Sequence, residues 1–248
     1  MLKAIKVLCR QNLVNYRKPT AFAIGESYKL PAYSTVVGMV HNACGCKNGE
    51  YIPMEIGVQG NFKSVVSDMY TRYFFGIAYD PTRHQLYTEN ANGGKDGITR
   101  GLGYNELLTD VTLILHIIPE REEDFERIFK GLNYPQNYLS LGRHEDLLQI
   151  ESVEKVNLIE DFTEYYELKN NAYIPENIYN NFEETTDSGA YVILNKIFKV
   201  ITEKKKTYRR WLPYEEGGKI MVKYVLTGSA FTGNILREEN GGMGVFPA

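Results

Sequence analysis

Apolar and polar residues alternate strictly at Ile52, Met54, Ile56 and Val58, and again at Val111, Leu113, Leu115 and Ile117. A period of two places such side chains on one face of an extended chain, so each run predicts a half-buried β-strand, the second ending at Pro119. The opening run at residues 3–10, KAIKVLCR, reads as another strand. A polar, basic loop follows to Leu30. Over residues 31–45 the period changes: Val36, Val40 and Ala43 fall at i, i+4 and i+7, which predicts a helix with Ser34 as N-cap and Gly45 as the residue past its end. Residues 120–131, EREEDFERIFKG, predict a second, amphipathic helix, with acids in its first turn, Phe125, Ile128 and Phe129 on its apolar face and Gly131 at its end. Val153, Val156, Leu158 and Ile159 suggest a further strand.

Between residues 80 and 104 the chain is rich in glycine and has no hydrophobic period, so it reads as a long exposed loop or hairpin. In order, the elements are strand, helix, strand, long insertion, strand, helix, strand. That is the split βαβ pattern of an α+β, ferredoxin-like domain over residues 1–160. The strand signals at 191–201, 207–211 and 219–226 place a smaller β-rich part at 161–248.

Composition excludes the disordered, fibrous and disulfide-scaffold classes, since 43% of the 248 residues are hydrophobic, 24% are charged and only three are cysteine. No segment has the apolar length of a membrane span or a secretory leader, which points to a soluble cytoplasmic protein without a membrane partner. The net charge of -3 conceals segregation. Residues 1–30 carry six Lys/Arg against the single acid Glu26, residues 188–248 are also basic, and residues 120–187 are strongly acidic. If the two ends meet in the fold, they make a basic face suited to nucleic acid.

His41, Cys44 and Cys46 make an H-x-x-C-x-C spacing, but a structural zinc needs four ligands and no second cysteine pair exists; no metal and no cofactor are expected. Nucleophile-elbow, Walker A and zinc-protease patterns are absent. Arg83 and His84, with Tyr87 near, offer the parts of a metal-free ribonuclease: a proton acceptor beside a cation.

A denser set surrounds the first predicted helix. Tyr16, Arg17 and Lys18 give a stacking ring beside two phosphate-binding cations, and Tyr28, Lys29 and Tyr33 repeat that mixture before Ser34. His41 lies on the same helix. A hundred residues later, Gly142 permits close backbone approach and Arg143 supplies a forked donor.

At residues 17–22 (RKPTAF), 30–45 (LPAYSTVVGMVHNACG) and 139–148 (LSLGRHEDLL) the sequence resembles the fifth Cas protein family of type I CRISPR systems, most closely the I-B branch. The resemblance implies a ferredoxin-like RNA-binding domain of the repeat-associated type, with an inserted β-hairpin thumb matching residues 80–104 and its cations Arg83, Lys95 and Arg100. It implies a subunit of the Cascade complex in antiviral defence that binds the 5′ handle of the guide RNA (crRNA). The subunit caps the backbone filament, contacts the backbone and large subunits, and meets target DNA through the complex. One branch of the family cuts precursor RNA with a Tyr, Lys and His set. Here Arg83-His84 stands in place of a Lys-His pair, so a non-catalytic subunit is expected, and a metal-independent endoribonuclease is the alternative.

Overall fold

A computed structural model describes residues 2–21, 24–47, 49–203, 206–239 and 242–248, with backbone alone at 200, 206–209 and 211. The chain opens with β1 (Leu2–Val14), the short β2 (Tyr16–Arg17), β3 (Ile24–Gly25) and β4 (Ser27–Tyr28), and helix α1 (Tyr33–Ala43). Then come β5 (Met54–Asn61), β6 (Ser64–Ala78), β7 (Leu86–Glu89), β8 (Lys95–Pro119) and α2 (Glu122–Asn133). The remainder comprises β9 (Gln149–Glu167), β10 (Asn171–Pro175), the short α3 (Glu176–Tyr179), β11 (Glu184–Thr186), β12 (Gly189–Asn195), β13 (Phe198–Glu203), β14 (Lys206–Trp211), β15 (Lys219–Val225) and β16 (Ala230–Glu238). Among the described residues no helix is long and apolar enough to cross a membrane.

The fold is mostly β, and its main sheet is antiparallel except where the short β3 runs parallel to β8. At its centre the strands run in the order β9, β1, β8, β5. Register explains why: Ile5 faces Ile117, which faces Ile56, and Val7 faces Leu115, which faces Val58. All six side chains are buried, giving two apolar rows across three strands. Val36, Val40, Phe125, Ile128 and Leu132 of the two helices belong to the same core, so α1 and α2 cover the face that the alternation marked. Burying each such side chain contributes about 1.5–3 kcal/mol.

Where the helices cross, Gly131 lies inside α2 and not at its end. A Cβ there would sit 2.9 Å from the Ala43 carbonyl oxygen, so only glycine allows this approach. The N-cap of α1 is Ala32, in an extended conformation, while Ser34 lies within the helix and is buried. Gly45 does follow the helix end, at φ 63°.

The glycine-rich stretch is a strand. β8 is 25 residues long. Its first half pairs with β6 from Asp96↔Ala78 to Thr109↔Ser64, and with β7, forming a long arm that begins at residue 64 and not at 80. Both faces of the arm meet solvent along most of β6, so neither selects a period of two. Rings cover some of its glycines instead. A Cβ at Gly103 would lie 2.7 Å from Tyr70, and one at Gly97 would lie 2.4 Å from His84.

Past the central four strands, β16 and β11 extend the sheet beyond β9, and β10, β15 and β12 extend it beyond β5. β9 runs unbroken through residue 160, where the sequence suggested a boundary. β13 and β14 form a separate two-stranded ribbon.

Candidate functional site

The residues around Asn15 hold three distant segments together. The buried Asn15 side-chain amide donates to the carbonyl oxygens of Gly25, at 2.7 Å, and Glu106, at 2.6 Å. Its backbone N–H donates to Asp146 Oδ2 at 3.0 Å. That carboxylate also accepts the Arg143 N–H at 2.8 Å and is forked by the Arg143 guanidinium, with Nη2 2.7 Å from Oδ1. Gly142 makes the turn possible. Its φ is 112°, a conformation that L side chains rarely adopt, and a Cβ would meet Val14 at 2.8 Å and the Asn15 carbonyl at 3.0 Å.

Beside this turn, β2 and β4 form a ribbon in which Tyr16 faces Tyr28 and Arg17 faces Ser27. β3 is tied to the base of the arm, Ile24 opposite Tyr104. Ser27 N–H and Lys29 both reach the Glu106 carboxylate, at 2.9 and 3.0 Å. Burial opposes charge on Glu106, but these two donors prevail and hold its pKa below the ordinary carboxylate range. Lys18 pairs with Glu26 at 3.1 Å, and Arg17 is exposed, donating to the Ala21 carbonyl.

The structure therefore brings Arg17, Lys18, Tyr28, Lys29, Gly142 and Arg143 into one neighbourhood and separates the other four predicted residues from it. Tyr16 is buried, its hydroxyl donating to Gln11 Oε1 at 2.7 Å, so its ring is no stacking platform. Tyr33 and Ser34 are buried, the Tyr33 ring lying 6.1 Å from that of Tyr173, so neither side chain of the first turn of α1 is open to phosphate. His41 is buried and its Nε2 accepts the Ile52 N–H at 3.1 Å. Phe22 of the RKPTAF stretch lies outside the described residues.

Most of the N-terminal cations are paired with carboxylates in the fold. Lys3 pairs with Glu122, Lys6 with Glu238 and Arg10 with Glu151. Of the six N-terminal cations, Arg17 is the one without a carboxylate partner among the described residues. Arg143 is held by both Asp146 and Glu145, so its fork acts first as a clamp on the turn.

The alternative catalytic trio sits at the far end of the arm. His84 is buried beneath Tyr79, and its Nδ1 accepts the Asp80 N–H at 2.9 Å, which fixes the turn and occupies the nitrogen a base would use. Arg83 and Tyr87 are exposed, and the Lys95 ammonium lies 4.2 Å from the Tyr87 ring centre. Arg100, on β8, is also at the surface of the arm and pairs in register with Tyr73. Cys44 Sγ points to the Arg127 carbonyl and Cys46 Sγ accepts from Arg127, while His41 turns to Ile52, so the H-x-x-C-x-C side chains have different neighbours. Among the described residues no group of three or more potential metal ligands converges.

Sequence reasoning missed Asn15, Asp146 and Glu106. Asn15 and Glu106 are ordinary polar residues in mixed stretches and Asp146 ends the charged run after Gly142, and only the fold shows that they bond to one another's segments.

The family model described as CRISPR-associated protein (Cas_Cas5) matches residues 4–210 of this chain. No curated protein sequence matches it. Among solved structures, a chain of a CRISPR RNA-guided surveillance complex is similar at 14% identity and TM-score 0.48, covering 92% of this chain and 91% of that one. A CRISPR protein from Archaeoglobus fulgidus is similar at 11% identity and TM-score 0.47, over 100% of both chains.

Proposed function

Since the chain belongs to the CRISPR-associated Cas5 family, we propose that it is a non-catalytic subunit of a type I Cascade surveillance complex, of the I-B kind, acting in the cytoplasm. It binds the 5′ handle of the guide RNA and caps the backbone filament. The observation that carries this reading is the junction at Asn15. There the Gly142–Arg143 turn, the β2–β4 ribbon with Arg17, Lys18, Tyr28 and Lys29, and the base of the arm meet on one surface. A half-buried tyrosine interleaved with cations beside a tight backbone turn suits single-stranded RNA, whose bases stack and whose phosphates seek N–H donors and cations.

The strand order β9, β1, β8, β5 with both helices on one face supports a ferredoxin-like RNA-binding unit over residues 1–160, and the strands of 161–248 serve as its β-rich extension. The arm is the thumb. Its exposed Tyr73, Phe74, Phe75 and Leu102 give it contact area for the guide and the neighbouring backbone subunit. With Arg83, Lys95 and Arg100 balanced by nearby acids, it works through shape and stacking more than through charge. Contacts with the large subunit, and with target DNA through the complex, follow from the same placement. Against endoribonuclease activity stands the burial of His84 and the use of its Nδ1 within the turn.

Copurification of the chain with the products of neighbouring genes, followed by sequencing of the bound RNA, tests the proposal. RNAs sharing one repeat-derived 5′ end are expected. An assembly without RNA, or with RNAs of unrelated ends, would overturn it.

A further inference from the structure

From the Asn15 junction the surface leads along β1 to a second feature with different chemistry. The segment joining α2 to β9 is anchored by Leu139 and Leu141, at 4% and 1% exposure, while Tyr138 between them and the solvent is 93% exposed. The buried neighbour anchors the backbone at Tyr138 and leaves the ring open to solvent. The Leu148 N–H to Leu139 carbonyl bond, at 2.8 Å, and the Ser140↔Leu147 bridge fix the loop from the other side.

Tyr138 stands between two clefts. One, of about 400 Å³, is lined by residues 10–13 of β1 and by Glu145 and Leu147. The other, of about 1170 Å³, lies between the end of α2, the loop and β9. The larger cleft has no lysine or arginine in its wall, and its one carboxylate, Glu151, is engaged by Arg10 at 2.9 Å. Apart from the His144 imidazole, its other polar groups are amides and hydroxyls, among them Asn133, Gln136, Asn137 and Ser140, over an apolar floor that includes Leu132 and Leu148.

Without lysine or arginine, such a wall suits a base better than a phosphate, which favours guanidinium or ammonium cations or converging backbone N–H groups. Neutral amides that both donate and accept, an apolar floor and a free aromatic ring match a flat heteroaromatic with polar edges. Arg10 lines the smaller cleft, pairs with Glu151 of the larger one and keeps its side chain 61% exposed, which places it for the phosphate attached to such a base.

We infer that the larger cleft takes one unpaired nucleobase of the bound RNA, stacked on Tyr138 and read at its edge by Gln136 and Asn137. This rests on the RNA-binding reading above and adds to it a base-selective subsite separate from the cationic junction.

The test uses the full chain and short fluorescent single-stranded homopolymers of adenine, cytosine or uracil, titrated at several salt concentrations. Tyr138→Ala removes an exposed ring and leaves the core intact. It should weaken binding about tenfold, the equivalent of roughly 1.4 kcal/mol, without changing the salt slope. Gln136→Ala with Asn137→Ala should reduce the preference among the three homopolymers. Arg17→Ala should lower the salt slope and keep that preference. If the native chain binds with a salt slope that Arg17→Ala lowers, and Tyr138→Ala binds like the native chain, this inference is wrong and the RNA-binding reading stands. If the native chain binds none of the homopolymers, both fail.

Discussion

The Asn15 backbone N–H donates to Asp146 Oδ2 at 3.0 Å across 131 residues of sequence, and that single carboxylate ties the end of β1 to the turn carrying Gly142 and Arg143. Asp146 is only 2% exposed, so its loss leaves the Asn15 and Arg143 N–H groups without an acceptor in a buried setting. Asp146→Ala should cost about 1–3 kcal/mol of stability. It should also weaken RNA binding, because the turn moves relative to the β2–β4 ribbon. Thermal unfolding and a filter-binding titration of the same variant check both effects; unchanged values in both would remove the junction from the account.

Gly131→Ala sets two effects against each other. Alanine gains about 1 kcal/mol in helix propensity over glycine. Here the added carbon falls 2.9 Å from the backbone oxygen of Ala43, which cannot swing away as a side chain can. The clash should prevail and lower the melting temperature. A rise would mean that the crossing of α1 and α2 relaxes easily.

A third expectation concerns pH. Glu238 accepts from Lys6 and from the buried His116, with Oε1 at 2.7 and 2.8 Å. Burial opposes its charge, but the hydrogen bonds from His116 and Lys6 outweigh this and lower its pKa to about 2. A carboxylate depressed in the fold stabilises above its unfolded value, near 4.5, and loses that contribution as pH falls toward 2. His116 adds to the acid sensitivity. Burial holds its pKa below 6.5, against the pull of Glu238, so the unfolded chain takes up that proton first. Glu238→Gln should therefore be less stable than the native chain at pH 7, and the difference should shrink between about pH 4.5 and pH 2. A constant difference across that range in denaturant titrations would show that Glu238 acts by packing and not by charge.

Removal of the outer arm tests whether it serves the core. Joining Tyr70 to Gly103, which are partners across the arm, through a short Gly-Ser turn deletes mostly exposed residues. The melting temperature should hardly change, while assembly of the complex or target binding should fall. A large loss of stability would make the arm structural, and normal assembly with full target binding would show that it is not a thumb.

Much of this fold is legible in the sequence wherever one face is buried. Ile56 and Val58, and Leu113 to Ile117, alternate because α1 and α2 cover one side of their strands. The arm is not legible for the same physical reason: with solvent on both faces of β6 nothing imposes a period, and Gly97 and Gly103 read as loop residues although His84 and Tyr70 cover them. Site residues fared unevenly. Arg17, Lys18 and Gly142 sit at the junction, because cations and turn glycines announce themselves by type. Tyr16 and Tyr33 mislead, since a tyrosine in a basic stretch packs into a core as readily as onto a base. Asp146 lies in the quoted 139–148 motif, but only the chain's return to β1 shows its use.

Mapping the guide RNA onto this chain by ultraviolet crosslinking within the purified complex, with peptides identified by mass spectrometry, tests the central claim most directly. The account predicts crosslinks from the 5′ end of the guide to residues 15–29 and 138–146, and crosslinks from nucleotides further along to the arm. Absence of crosslinks from both of the first two segments, or crosslinks from the guide's 5′ end confined to residues 189–238, would contradict it.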